Sequence, residues 1–136
     1  MGHPAVDLKE RTKKFALRVM NVVRSLPQGS EGRVIGSQLL RSGTSVAANY
    51  RAVCRARSRA EFLSKLAIVI EESDETAFWL DFLVEAGLVP EPKLRDLRSE
   101  ANQLVAIFNA SRTTAKKGSH STINNQNSTI SPRKVS

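Results

Sequence analysis

The chain has 136 residues and a mass of 15.0 kDa, with 40% hydrophobic and 25% charged residues. This balance is typical of one globular domain and excludes a wholly disordered chain. No apolar run approaches 20 residues and no secretory signal pattern is present, so we expect no membrane partner. The single cysteine, Cys54, excludes an intrachain disulfide and predicts a reducing, cytoplasmic location.

Positive charge is distributed unevenly along the chain. Lys and Arg number 21 against 13 Asp and Glu, giving a net charge of +8 and a pI near 10.3. Residues 1–60 hold 12 basic and 3 acidic residues, whereas residues 61–110 hold 4 basic and 10 acidic residues. The excess predicts a face for polyanions. The asymmetry predicts basic and acidic helices that pair within the fold, and both interpretations stay open.

The composition changes at residue 111. From there to residue 136, 14 of 26 residues are Ser, Thr, Asn or Gln, and such a segment buries too little apolar surface to offset the entropy of ordering it. The sequence therefore predicts a domain over residues 5–110 and a flexible, basic, polar tail over residues 111–136. The basic residues of the tail either contact a polyanion loosely or only aid solubility.

Two helices are predicted in the basic half, over about residues 7–26 and 32–55. Their inward positions recur at steps of four and three, as in helices packed at a shallow angle. The second is rich in Gly, Ala and Ser, which let helix backbones approach closely and predict a central place for it. The expected inward positions are Leu8, Thr12, Phe15, Val19, Val22 and Leu26, then Ile35, Leu39, Ser42, Val46, Asn49 and Val53.

A third and a fourth helix are predicted over about residues 59–86 and from residues 90–92 onward. Ser58 followed by Glu61 predicts a capping box at the start of the third, and Gly87 predicts a left-handed cap at its end. The expected inward positions are Phe62, Leu66, Val69, Ser73, Thr76, Leu80 and Leu83, then Leu94, Leu97, Ala101, Leu104 and Phe108.

The third helix has more apolar surface than one stripe needs. We therefore expect it to bury more than one side, and we predict that Phe78, Trp79 and Phe82 form an interface with other copies of the chain, since large exposed apolar patches are uncommon on monomers. Four helices with short links predict an all-α, antiparallel up-down-up-down four-helix bundle.

Two stretches carry a resemblance to a known family. Residues 34–52, VIGSQLLRSGTSVAANYRA, and residues 55–89, RARSRAEFLSKLAIVIEESDETAFWLDFLVEAGLV, resemble four-helix-bundle proteins related to the 23S rRNA-intervening sequence protein family. The resemblance implies an antiparallel four-helix bundle that assembles as a ring, commonly a homopentamer. It supplies no activity, and it implies nucleic-acid binding only through related basic bundle proteins. The motifs that carry it are Gln38-Leu39, Arg41, Thr44-Ser45-Val46, Asn49-Tyr50-Arg51, Arg57 to Phe62, and Trp79-Leu80.

The acidic run of residues 71–75 is the candidate for metal chemistry. Di-iron bundles add Glu-x-x-His pairs on two helices, but the two histidines here, His3 and His120, lie outside the predicted bundle. We therefore expect no metal and no cofactor.

The structural interpretation of the acidic run is an ion pair across helices. We expect Arg41 to pair with Glu71 or Glu72, and Arg51 to lie near Glu61. The two members of each pair are similarly far from the turn that joins the second and third helices. Such pairs hold register more than they add stability.

Basic residues provide the candidate functional site. Those around the second turn are placed for phosphate oxygens, and a strip on the first helix adds to them; the alternative is a solvated helix end. The expected nucleic-acid-binding residues are Lys13, Lys14, Arg18, Arg51, Arg55, Arg57 and Arg59.

The leading hypothesis is a non-enzymatic, homo-oligomeric protein that binds RNA or DNA without base-specific readout. The alternative is a protein-interaction or scaffolding module. No phosphate loop, zinc spacing or catalytic triad pattern is present, which disfavours an enzyme or a small-molecule substrate. Among single residues, Cys54 is expected to be a small buried side chain, Asn49 a satisfied polar group that sets register, and Ser42, Thr44 and Ser45 packing residues.

Overall fold

The computed structural model describes residues 4–129, with side chains described over residues 8–118. Four helices follow one another: α1 (Pro4–Arg24), α2 (Ser30–Cys54), α3 (Arg59–Glu85) and α4 (Glu91–Thr129). Residues 4–129 contain no strand, and the all-α prediction is confirmed. None of the helices in this range is long and apolar enough to cross a membrane.

The four helices pack around one core. α2 packs against α1 and α3, and α4 packs against α3 and α1. The predicted inward positions are confirmed, with the largest fully buried side chains on all four helices; Val22, Leu26 and Phe62 are only half-buried. Asn49 is also half-buried, and its amide donates to the Ser45 carbonyl at 2.9 Å. Because that bond lies within α2, it satisfies the amide without joining two helices.

Small residues bring the backbones of α1 and α2 together, as predicted. A Cβ atom on Gly43 would lie 2.7 Å from Cγ1 of Val19, closer than carbon atoms pack. Val19 itself is fully buried. Glycine is therefore needed where α2 crosses this side chain.

The turn between α2 and α3 is closed by polar contacts. The Ser58 hydroxyl accepts the Glu61 N–H at 3.0 Å, which confirms half of the predicted capping box. The other half is wrong, because the Glu61 carboxylate accepts the Arg57 N–H at 2.9 Å instead of reaching the N–H of Ser58. The Arg57 guanidinium lies 3.7 Å from the same carboxylate.

The turn between α3 and α4 is closed by backbone contacts. Gly87 has a φ of 77°, which confirms the left-handed cap. Its N–H donates to the Val84 carbonyl, and the Leu88 N–H donates to the Leu83 carbonyl, both at 3.0 Å. These two bonds form a complete Schellman motif.

Ion pairs join neighbouring helices around the core. Arg41 of α2 contacts Glu72 at 3.1 Å and Glu75 at 2.7 Å, so the predicted pair with Glu72 is confirmed and Glu75 is an addition. The Arg41 guanidinium lowers the pKa of Glu75, and the two carboxylates raise the pKa of Arg41. Arg11 of α1 contacts Glu100 of α4 at 2.7 Å.

Two sequence predictions about α2 are wrong. No ion pair joins Arg51 to Glu61 among the described residues, because Arg51 lies beside α1 while Glu61 stays with Arg57. Cys54 is exposed rather than buried, since it follows the inward Val53 at the last position of the helix.

Hydroxyl groups in the core behave as packing residues. Ser42 and Thr76 are fully buried, and their oxygens lie 2.9 Å apart across α2 and α3. Ser45 is half-buried. Thr44 is exposed, so its prediction as a packing residue is wrong; its hydroxyl donates within α2 to the Leu40 carbonyl at 2.7 Å.

α4 continues beyond the predicted domain boundary at residue 110. It reaches Thr129, and the Arg59 guanidinium donates to the Ala115 carbonyl at 2.9 Å. The flexibility expected for residues 111–136 stays a prediction, and residues 130–136 lie outside the described residues, as does His3 of the metal argument.

Candidate nucleic-acid interface

A cationic groove lies between α1 and α2. Lys9 and Lys13 lie one turn apart on α1, which places them on the same face, and Arg51 of α2 lies across from them. All three side chains are exposed. The groove encloses about 420 Å³, and its lining is completed by Ala47, Ala48 and Glu10. Two alanines form part of its floor, so the longer basic side chains form its rim.

The turn after α2 continues the positive charge of the groove. Arg55 follows one helical turn after Arg51. Arg57 and Arg59 flank Ser58, the residue that caps the start of α3. The side chain of Arg57 is 89% exposed, and its contact with Glu61 is long at 3.7 Å. Hydrogen bonding from the Arg57 N–H lowers the pKa of Glu61, so this carboxylate is charged at neutral pH.

The extension of α4 brings further cations to the same turn. The bond from Arg59 to Ala115 fixes residues 112–118 beside the start of α3. Lys116 and Lys117, both exposed, follow immediately. The composition of residues 111–136 instead predicts a separate tail for these lysines. The one available signal was that residues 112–117 are good helix formers apart from two threonines.

The seven predicted nucleic-acid-binding residues do not form one site. The structure brings Lys13 and Arg51 together across the groove and places the other three arginines in the adjoining turn. Lys14 and Arg18 are exposed on α1 but do not line the groove. Lys9 does line it, although we had not counted it among the binding residues.

The predicted interface aromatics form a cluster far from the basic turn. The ring centroid of Phe78 lies 4.9 Å from that of Trp79 and 5.9 Å from that of Phe82. Phe78 is 54% exposed and Phe82 39% exposed, whereas Trp79 is half-buried and donates to Glu75 at 3.1 Å. The helix rise puts Phe78 about 28 Å along α3 from Arg59.

An apolar groove of about 550 Å³ adjoins this cluster. It lies between the start of α2 and the end of α3, and Val34, Trp79 and Phe82 contribute to its lining. Val34 is 62% exposed. The aromatic cluster and this groove form one continuous apolar surface.

Metal ligation is not evident in the part of the chain that the structure describes. Over residues 8–118, no group of three or more His, Cys, Asp or Glu residues is close enough to hold an ion. Of the acidic run, Glu72 and Glu75 pair with Arg41, while Glu71 and Asp74 point to the surface.

This four-helix, all-α chain is similar to known proteins. Residues 5–110 match the family described as 23S rRNA-intervening sequence protein. A crystal structure from Bacteroides thetaiotaomicron, described as a protein with unknown function from the S23 ribosomal protein family, superposes with a TM-score of 0.72. The two sequences are 30% identical, and the alignment covers 76% of this chain and 96% of that one. Comparison with curated proteins finds no match.

The chain belongs to the 23S rRNA-intervening sequence protein family, since the match spans most of its length. The resemblance stated from the sequence is therefore confirmed.

Proposed function

We propose that this protein binds nucleic acid, RNA or DNA, through its basic surface and without reading base sequence. The observation that carries the proposal is the groove between α1 and α2, where Lys9, Lys13 and Arg51 converge and run into the arginines of the next turn. Glu10 is the one acidic residue in the lining. Cations spaced along a groove suit a phosphodiester backbone, whose negative charges recur at every residue.

The aromatic residues support backbone contact rather than base stacking. Tyr50, the aromatic residue nearest Arg51 in sequence, is buried against Phe108 with ring centroids 5.5 Å apart. Burial also raises the pKa of its phenol, which therefore stays neutral. The exposed rings of Phe78 and Phe82 lie on the distant part of α3. Single-strand binders instead place aromatic platforms beside their cations.

A salt titration tests the proposal. The affinity for duplex RNA, duplex DNA and single strands should fall steeply with salt, with a slope of about 0.9 per phosphate contacted on duplex DNA. Replacing Arg55, Arg57 and Arg59 with alanine should weaken binding to all sequences equally. Each lost phosphate contact should reduce the salt slope by about 1.

A matched control removes the same charge elsewhere. Arg24, Arg33 and Lys93 are exposed and do not line the cationic groove, so the triple alanine variant should keep most of the affinity. Equal losses in both triple variants would mean that net charge, and not this surface, attracts the polyanion. No detectable binding at about 50 mM salt would reject nucleic-acid binding.

The directions of the four helices are also part of what we propose. We propose an antiparallel up-down-up-down bundle over residues 5–110, located in the cytoplasm as the single cysteine suggests. Two observations support it: Val23 lies against Gly36 at one end of the first helix pair, and Lys13 and Arg51 line the same groove at the other.

We also propose that copies of the chain self-associate through Phe78, Trp79 and Phe82, as a homopentameric ring of the kind the resemblance implies. The contiguous exposure of two of these rings beside Val34 supports this, because such patches mark contact surfaces. The same observation favours the second candidate function, a protein-interaction or scaffolding module. Loss of nucleic-acid binding with retention of assembly would favour that candidate.

We infer that the protein is not an enzyme. The buried hydroxyls of Ser42 and Thr76 contact each other, and two carboxylates of the acidic run are engaged by Arg41. A stoichiometric metal ion in the purified protein would contradict this inference.

A further inference from the structure

The outward face of α3 combines aromatic and acidic residues. Its exposed positions between residues 64 and 85 recur at steps of three and four, so they form one stripe. Phe78 and Phe82 form its apolar part, with ring centroids 5.9 Å apart. Single exposed apolar residues are ordinary, whereas connected ones mark contacts. The stripe consists of Ser64, Ile68, Glu71, Asp74, Phe78, Phe82 and Glu85.

This face is negatively charged. No Lys or Arg occurs between residues 66 and 92, so α3 itself contributes no cation to this face. Arg41 of α2 and Arg98 of α4 pair with Glu75 and Asp81, which lie outside the stripe. Asp74 lies one turn and Glu71 two turns before Phe78; both are exposed and form no ion pair among the described residues. The face therefore suits a partner that is apolar at its centre and positive around it.

On α1, one exposed leucine lies between two cations. Leu17 is 49% exposed, and it is the one large apolar side chain so exposed on α1 or α4 over residues 8–118. Lys14 and Arg18 lie beside it on the helix surface, are exposed, and form no ion pair in this part of the chain. These two cations are the predicted binding residues that lie neither in the cationic groove nor in the turn after α2.

The two surfaces cannot meet within one chain. Contacts join α1 to α2 and to α4, and α3 to α2 and to α4, but none joins α1 to α3 within residues 4–129. The basic surface around Leu17 and the acidic surface around Phe78 thus belong to helices that do not touch. A second copy of the chain offers each surface its complement.

We propose that the α1 face of one copy packs against the α3 face of the next copy. Leu17 contacts the rings of Phe78 and Phe82, while Lys14 and Arg18 face the two free carboxylates. Because the two surfaces differ, the contact is heterologous, and it leaves one free surface at each end until a ring closes. This inference rests on the proposed self-association, and it assigns Lys14 and Arg18 to subunit contact rather than to nucleic acid.

A mixing experiment tests the heterologous contact. One variant changes the α1 face, Leu17→Glu with Arg18→Glu, and the other changes the α3 face, Phe78→Glu with Phe82→Glu. Sedimentation without nucleic acid should give an assembly of more than two subunits for the wild type and single subunits for each variant. An equimolar mixture should give dimers of one copy of each, because one intact α3 face meets one intact α1 face and no further contact is possible.

The outcomes separate this inference from the functional proposal. A wild-type monomer would reject self-association itself, and a twofold dimer would reject only the heterologous contact. An equimolar mixture of the α1-face and α3-face variants that stays monomeric would also reject the heterologous contact. The control Asn102→Glu with Ala106→Asp changes exposed positions on α4 and should keep the wild-type mass. The Arg55, Arg57 and Arg59 alanine variant should assemble normally whether or not it binds nucleic acid.

Charge reversal gives a second test that does not alter the aromatic residues. Lys14→Glu with Arg18→Glu, and separately Glu71→Lys with Asp74→Lys, should each weaken assembly, since like charges then face each other. The four changes combined in one chain should restore it. Failure of the combined variant to assemble, while it unfolds at the wild-type temperature, would overturn the proposed pairing.

Discussion

The turn between α2 and α3 and the turn between α3 and α4 are built in different ways. The first is closed by side chains, with the Ser58 hydroxyl and the Glu61 carboxylate accepting backbone N–H groups and arginines pointing to solvent. The second is closed by the backbone of Gly87 and Leu88. Arg57, which is 89% exposed with one long ion pair, is available for a ligand, whereas Arg59 also donates to Ala115 of α4. In the glycine turn the contacts are made by the backbone.

The largest expected effect is at the glycine turn. Gly87→Val should lower the free energy of unfolding by about 2 kcal/mol, because a β-branched residue is strained at positive φ. Gly87→Asn should cost less, since Asn tolerates this conformation. Denaturant unfolding measures both, and nucleic-acid affinity should be unchanged in either variant. Equal costs for Val and Asn would show that the backbone conformation is not the cause.

The capping serine should have a smaller effect. Ser58→Ala removes the acceptor for the Glu61 N–H and should cost about 1 kcal/mol. Ser58→Asp keeps an acceptor and should stay near the wild type in the same unfolding measurement. A loss as large for Asp as for Ala would indicate that the hydroxyl has another role.

The arginine beside the cap should separate stability from binding. Arg57→Ala should change the free energy of unfolding by no more than about 0.5 kcal/mol, because its side chain is exposed and its ion pair is long. The same variant should bind nucleic acid more weakly, with a lower salt slope. A much larger drop in the free energy of unfolding of Arg57→Ala would contradict the proposed difference between the two turns.

The smallest expected effect is on the stability of the fold at acidic pH. Because hydrogen bonding lowers the pKa of Glu61 below its ordinary value of 4.5, the ionised carboxylate favours the folded state. That contribution is present above pH 4.5 and is lost as the pH falls through the lowered pKa. Glu61→Gln should therefore lose less stability than the wild type between neutral and acidic pH. Parallel pH profiles would contradict this.

The hydrophobic pattern was sufficient to predict the helices and their buried faces. The starts of α2 and α3 fall within two residues of the predicted ones, and Gly87 was identified because only a few residue types suit a left-handed cap. Apolar spacing records which side of a helix is buried, so it predicts elements and core together.

The polar contacts were less predictable. Two residues equally far from a turn lie at the same level along their helices, but this distance does not show which side of each helix they occupy. For this reason the ion pair of Arg41 was predicted correctly and that of Arg51 was not. The groove formed by Lys9, Lys13 and Arg51 joins residues about 40 positions apart, and nothing in the local sequence links them. The extension of α4 was missed because its polar composition conceals its helical state.

The absence of a side chain at Gly43 has a consequence beyond packing. It lets α2 approach Val19 of α1, and Ala47, one turn further along α2, lines the cationic groove between the same two helices. The gap between the lysines and the arginine is thus governed by an atom that is missing from a neighbouring position. Any residue larger than glycine there would push α2 away from α1 and change the distance between the lysines and the arginine across the groove.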